Sequence, residues 1–144
     1  MSQENVEIVR GMQPPPDFDL VGMFDENAST SILLDAVAPS FHSDVEAVGK
    51  LSIGDVRGSG MEGLKAVWRE WLQPWESYRS EVEDVIDIDD RVVVLVRDFG
   101  RRKGMTAEVA LVGAAIWTLR DGKVARVEFF ADRAVALEAV GLAE

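Results

Sequence analysis

Three side chains in this 144-residue chain have the chemistry for proton transfer: His42, Asp98 and Tyr78. His42 is the only histidine, and imidazole titrates near neutral pH, which suits a general base. It stands in Ser40-Phe41-His42-Ser43-Asp44, just ahead of an expected strand, where it could reach a pocket mouth. Asp98 shares strand parity with Val94 and Val96, so it could sit inside an apolar rim. Burial there would raise its pKa towards base function. Arg97 would then point outward, towards Glu108 across a hairpin. Tyr78 could donate a hydrogen bond to a ligand oxygen. Each has a plainer reading too: a solvated loop histidine, a paired surface charge, and a tyrosine with a packed ring and a wet hydroxyl. Asp44, beside His42, reads as a turn or cap residue.

Other chemistries are excluded or disfavoured by composition. There are no cysteines, so thiolate catalysis, disulfides and cysteine metal sites are ruled out. One histidine and scattered carboxylates give no ligand set, so no metal is expected. The acidic run from Glu81 to Asp90 lacks calcium-loop spacing. Gly49, Gly54, Gly58 and Gly60 match no dinucleotide or phosphate loop, and no serine nucleophile elbow occurs. No cofactor is expected. The net charge of −11, with neither half of the chain basic, disfavours a nucleic-acid partner. The basic cluster Arg101-Arg102-Lys103 reads as a solvated hairpin loop. No apolar run approaches the roughly 20 residues of a membrane span, and no signal-peptide pattern opens the chain, so a cytoplasmic location is expected.

The elements that must position these residues follow from periodicity. The length suits a single domain over 1–144. Ser2 to Met12 predicts a helix, stopped by Pro14-Pro15-Pro16. Further helical pieces are expected through Phe18 to Phe24 and from Thr30 to Val37. Val45 to Val48 predicts a short first strand, and Gly49 to Gly60 a loop. Ser59 to Glu62 has a capping-box pattern. The helix after it carries Leu64, Val67, Trp68, Trp71, Leu72 and Trp75 on one face, and Pro74 ends it. From Arg79 the period becomes two, with Val82, Asp84, Ile86 and Ile88 on one face. Arg91 to Phe99, Ala107 to Leu119 and Lys123 to Ala131 complete a meander, its last turn at Asp121-Gly122. Arg133 to Val140 predicts a closing helix capped by Gly141. The fold class is α+β: a curved antiparallel or mixed sheet wrapped around helices.

Several segments together carry a family resemblance: Met1 to Arg10, Asp44-Val45-Glu46, Gly60 to Trp71, and Asp121-Gly122-Lys123-Val124 through Asp132 with Ala136-Leu137 and Gly141-Leu142. They resemble the SnoaL-like branch of the nuclear transport factor 2-like superfamily. The resemblance implies a cone-shaped fold enclosing an apolar pocket, and dimerisation through the convex sheet face. It does not specify a reaction, because the fold hosts cyclases, isomerases, dehydratases, epoxide hydrolases and pure binding domains. Where SnoaL-type polyketide cyclases place an acid/base aspartate, this chain has Phe129. Where ketosteroid isomerases place a base and two oxyanion donors, it has Ala47, Met12 and Ala115. Any chemistry must then come from the rim.

With Phe129 facing the pocket, Ala125, Val127 and Ala131 share its face, and the paired strand offers Val109, Leu111, Gly113, Ala115 and Trp117. The opposite parity, Ala110, Val112, Ala114 and Ile116, is also small and apolar, which predicts a homodimer through that face. The expected ligand-binding residues are Trp68, Trp71, Trp75, Leu111, Ala115, Trp117, Val127 and Phe129. The expected ligand is a small apolar molecule containing rings. Two functions remain open: cofactor-free proton transfer of the isomerase, cyclase or dehydratase type, and a non-catalytic dimeric binding or interaction domain.

Overall fold

The computed structural model describes residues 2–14, 16–23, 37–51 and 54–142. The expected helix over 30–37 lies outside them except for Val37. Among the described residues, two N-terminal helices, α1 (Ser2–Gly11) and α2 (Leu20–Met23), precede β1 (Phe41–Leu51) and β2 (Gly54–Ser59). The helix α3 (Gly60–Leu72) follows. Then come four strands, β3 (Trp75–Ile88), β4 (Arg91–Arg102), β5 (Glu108–Arg120) and β6 (Lys123–Phe130), and a short α4 (Arg133–Ala139). No helix among the described residues is long and apolar enough to cross a membrane.

The six strands form one mixed sheet in the order β2-β1-β6-β5-β4-β3. Only β1 and β6 run parallel. Asp121 and Gly122 both take positive φ, as a two-residue hairpin turn between right-twisted strands requires. Of the expected loop 49–60, residues 49–51 end β1, 54–59 form β2 and Gly60 opens α3, while 52–53 lie outside the described residues. The glycines there hid a strand that has exposed and half-buried positions but no apolar run. Ser59 precedes α3 in extended conformation, yet its side chain makes no cap bond.

The concave face and α3 enclose the main core, which includes Val45, Ala47, Val67, Trp71, Val92, Val94, Trp117 and Val127. A second cluster lies on the convex face: Val93, Ala114, Ile116, Phe130 and, from α4, Ala136. Ala114 and Ile116 are thus covered by the chain's own C-terminal helix, not left open for a partner subunit. Of the four residues expected to meet a second copy, Ala110 and Val112 stay exposed.

Three bulges change which face the antiparallel strands present; the first, at Glu76 between the pairs Trp75–Arg102 and Ser77–Arg101, puts Trp75 and Tyr78 on one face. In β3, Val82 pairs with Val96 but Asp84 pairs with Leu95, so Glu83 is the extra residue. Alternation reverses there: Tyr78 and Ser80 face the concave side, while Ile86 and Ile88 pack on the convex cluster and Val85 turns inward. In β6, Thr118 pairs with Arg126 and Leu119 with Val124, which leaves Ala125 over. Val124, fully buried, takes the inward place expected for Ala125.

Arg133, the first residue of α4, closes the β3 bulge. It donates to the carbonyls of Val96 at 2.7 Å and Gly113 at 3.2 Å, and to the Glu83 carboxylate at 2.5 Å. Arg97, pointing outward as expected, reaches Glu83 at 3.5 Å. Its expected partner, Glu108, pairs with Arg79.

Candidate functional site

Asp98 lies opposite Leu111 of β5 on one side and Ser80 of β3 on the other. All three point into the cone by strand parity. At 6% exposure Asp98 is the one charged residue of the buried core among the described residues. Ser80 Oγ donates to its Oδ1 at 2.6 Å, and the Tyr78 hydroxyl donates to its Oδ2 at 2.5 Å. The Trp71 indole N–H, reaching over from α3, donates to the Tyr78 oxygen at 3.1 Å. The backbone N–H of Tyr78 is in turn held by Asp19 Oδ1 at 3.1 Å, which also takes the N–H of Val21. Side chains from three elements, α3, β3 and β4, therefore converge on one carboxylate.

Gly100 makes the packing beside this network possible. It pairs with Tyr78, and a Cβ there would lie 2.5 Å from Trp75 Cε3 and 3.0 Å from Tyr78 Cδ2. Trp75 and Tyr78 meet edge to face with centroids 5.3 Å apart.

Burial raises the Asp98 pKa above the ordinary carboxylate value, because the charged form loses hydration. The hydrogen bonds from Ser80 and Tyr78, and the charge of Arg133 across the sheet, pull it partly back. Tyr78 is pushed well above its ordinary value by burial first, then by the Asp98 charge and the hydrogen bond to it. The phenol thus keeps its proton and donates it towards the carboxylate.

Asp98 and Ser80 border a cavity of about 380 Å³ whose other walls are almost wholly apolar. Trp68 and Trp71 of α3, Ala115 and Trp117 of β5, and Phe129 of β6 line it. The rings meet at tilted or edge-on angles, with Trp68 and Phe129 closest at 4.6 Å between centroids. Met12, Pro14, Phe18 and Leu20 contribute from the N-terminal segment. The Trp117 indole N–H is buried without an acceptor among the described residues. A second void, also bordered by Asp98 and Trp71, opens beside the first and is lined by Tyr78, Trp75, Leu111, Glu70, Gln73 and Arg102.

The structure brings Tyr78 and Asp98 together and leaves His42 apart. His42 Nε2 donates to the Arg120 carbonyl at 2.6 Å, beside the β5–β6 turn. Arg120 is nine positions along β5 from Leu111, the cross-strand neighbour of Asp98, about 30 Å of extended strand. His42 lines neither void; Phe41 and Val45 hold the inward places at this end of β1. Trp75 begins β3 instead of continuing the helix face, and with Leu111 it borders the second void. Val127 borders neither, being packed shut at 0% exposure. Ser80 is the residue that sequence reasoning missed. Its signal was the parity it shares with Tyr78 and Val82, once the strand is started at Trp75.

No curated protein matches the chain. Among solved structures, it is similar to TerC, co-crystallised with polyporic acid, at 22% identity over 95% of this chain and 97% of that one, with a TM-score of 0.65. A candidate SnoaL-like polyketide cyclase from Jannaschia sp. is 21% identical over 99% and 94%, with a TM-score of 0.64. A protein of ketosteroid isomerase-like fold from Catenulispora acidiphila, in complex with trimethylamine, is 17% identical over 90% and 95%, with a TM-score of 0.57. At these identities the likeness establishes the fold. The sequence profile of the SnoaL-like domain matches residues 23–127, well over half of the chain. With its α+β cone and mixed curved sheet, the chain belongs to the SnoaL-like domain family.

Proposed function

We propose that the chain binds a small, ring-containing apolar molecule in the cavity between α3 and the concave sheet, and that Asp98 exchanges a proton with it. One observation carries this reading: Asp98, hydrogen-bonded by Tyr78 and Ser80, borders an almost wholly apolar, aromatic cavity. The volume of about 380 Å³ falls within the usual range of small-ligand sites. Burial raises the Asp98 pKa, so the carboxyl takes up a proton more readily than an exposed one. Tyr78 and Ser80 fix its orientation, and Trp71 fixes Tyr78.

Fluorescence titration with 1-naphthylmethanol tests the binding part, since Trp68, Trp71 and Trp117 surround the cavity. Saturable quenching is expected, and it should vanish in A115F, whose ring fills the space. Native mass spectrometry of the purified protein tests for a retained natural ligand. Any ligand so found should exchange a carbon-bound hydrogen for deuterium faster with wild type than with D98N. Equal rates would leave the second reading, a non-catalytic binding domain. Homodimerisation is part of this proposal only through the still-exposed Ala110 and Val112. Light scattering at micromolar concentration tests it, and a monomer rejects it.

A further inference from the structure

The cavity is built around a single charge. Among the described residues that line it, Asp98 is the only ionisable one. The residues outside the described set contain no Lys, Arg or His, so none of their side chains supplies a cation. Arg133 acts on Asp98 only through the sheet, and its guanidinium is bonded to Val96, Gly113 and Glu83. Arg102, in the neighbouring void, lies over the Trp75 ring at 5.0 Å. A carboxyl this buried ordinarily either pairs with a cation or takes up a proton.

The walls around it fit a positive charge. Trp68, Trp71, Trp117 and Phe129 line the same space, and aromatic faces attract cations. The donors nearest Asp98 are already engaged: Ser80 and Tyr78 donate to the carboxylate, and Trp71 donates to Tyr78. None of these three is left for a negative oxygen on a ligand; the cavity-lining donor without an acceptor among the described residues is the Trp117 N–H, a neutral group that brings no positive charge. Each Asp98 oxygen accepts one of those bonds and has room for a second.

Resting on the cavity as the ligand site, we infer that its ligand is a protonated hydrophobic amine. The ammonium group pairs with Asp98, and the rings lie among Trp68, Trp117 and Phe129. Such a ligand brings its own counter-charge to the carboxylate. If it loses a proton to Asp98, it becomes neutral and needs no oxyanion donor.

Isothermal titration calorimetry at pH 7 with three probes of one shape tests this: 1-naphthylmethylamine, 1-naphthylmethanol and 1-naphthoate. The amine is expected to bind about tenfold more tightly than the alcohol, as a charge-assisted hydrogen bond and cation–π contact provide. The naphthoate should bind more weakly than the alcohol. In D98N, checked for folding by circular dichroism, the amine should fall to the alcohol's level. An alcohol that binds as tightly as the amine in wild type overturns the inference, as does an amine preference that survives in D98N. Should D98N fail to fold, the wild-type charge series decides alone. If no probe binds, the cavity reading itself fails; if the alcohol binds and the amine gains nothing, only the cationic class is lost.

Discussion

Ser80 and Asp98 face each other directly across β3 and β4, and the hydroxyl of one donates to the carboxylate of the other at 2.6 Å. Tyr78, two residues before Ser80, closes on the second carboxylate oxygen from the same face. A two-residue step along one strand thus places a donor on each oxygen of a single buried acid, and the surrounding strand geometry can be tested through it.

Removing the Tyr78 hydroxyl disconnects both neighbours. In Y78F the Asp98 Oδ2 loses its donor and the Trp71 N–H loses its acceptor. Leaving buried polar groups unpaired costs about 1–3 kcal/mol. Urea unfolding of Y78F should show a loss in that range. A midpoint equal to wild type would mean the network does not form in solution.

Asp98 should make stability depend on pH in the direction opposite to a paired surface acid. Burial raises its folded pKa above the unfolded value near 3.8. The native state therefore takes up the proton first as pH falls, and its stability gains until the unfolded chain also protonates. Glu83 and Asp55 act the other way: hydrogen bonds to Arg133 and Lys50 hold their carboxyls low, and their contribution is lost as pH falls through those lowered values. Comparing wild type with D98N cancels these shared terms. Wild type should gain on D98N between pH 7 and pH 4.5 in urea midpoints; a constant difference would place Asp98 in a solvated environment.

Gly100 is required by packing, not by its backbone angle. A methyl group there would sit 2.5 Å from Trp75 Cε3, on rings held against Tyr78. G100A should cost about 1–3 kcal/mol, the usual penalty for overpacking. Thermal melts followed by near-ultraviolet circular dichroism would show both the loss and the altered tryptophan environment. An unchanged melt and spectrum would contradict the close approach.

Arg133 pins α4 over the convex cluster. R133M leaves the Val96 and Gly113 carbonyls without this donor and frees the helix start. A loss of about 1–3 kcal/mol is expected, with faster amide exchange through 133–139 than through β5. Exchange that speeds up equally everywhere would mean that α4 has no local opening of its own.

The meander was readable in the sequence because its signals are local. Alternating valines put Asp98 on the inward face, and Asp121-Gly122 fixed the last hairpin. The resemblance of the termini and of α3 to SnoaL-like proteins gave the cone. The bulges at Glu76, Glu83 and Ala125 were not readable, because an extra residue leaves no mark on composition yet reverses every face beyond it. Strand β2 was hidden by Gly54 and Gly58, and Trp75 was drawn to the helix by its spacing from Trp71. His42 fits both a rim and a surface pattern, and only the pairing of Phe41 with Val124 decides between them by placing it beside the β5–β6 turn.

The lone parallel pairing has a consequence for how the chain folds. Strands β3 to β6 can zip up as successive hairpins, each closing a short loop. Joining β1 to β6 brings Ala47 to Val127 across most of the chain, so its loop-closure entropy must be met before that contact stabilises anything. The cavity gains the β1 side of its wall, including Phe41, only at that step. A ligand that fits it can therefore slow unfolding by holding the last-formed seam shut, and has nothing to grip while the hairpins assemble.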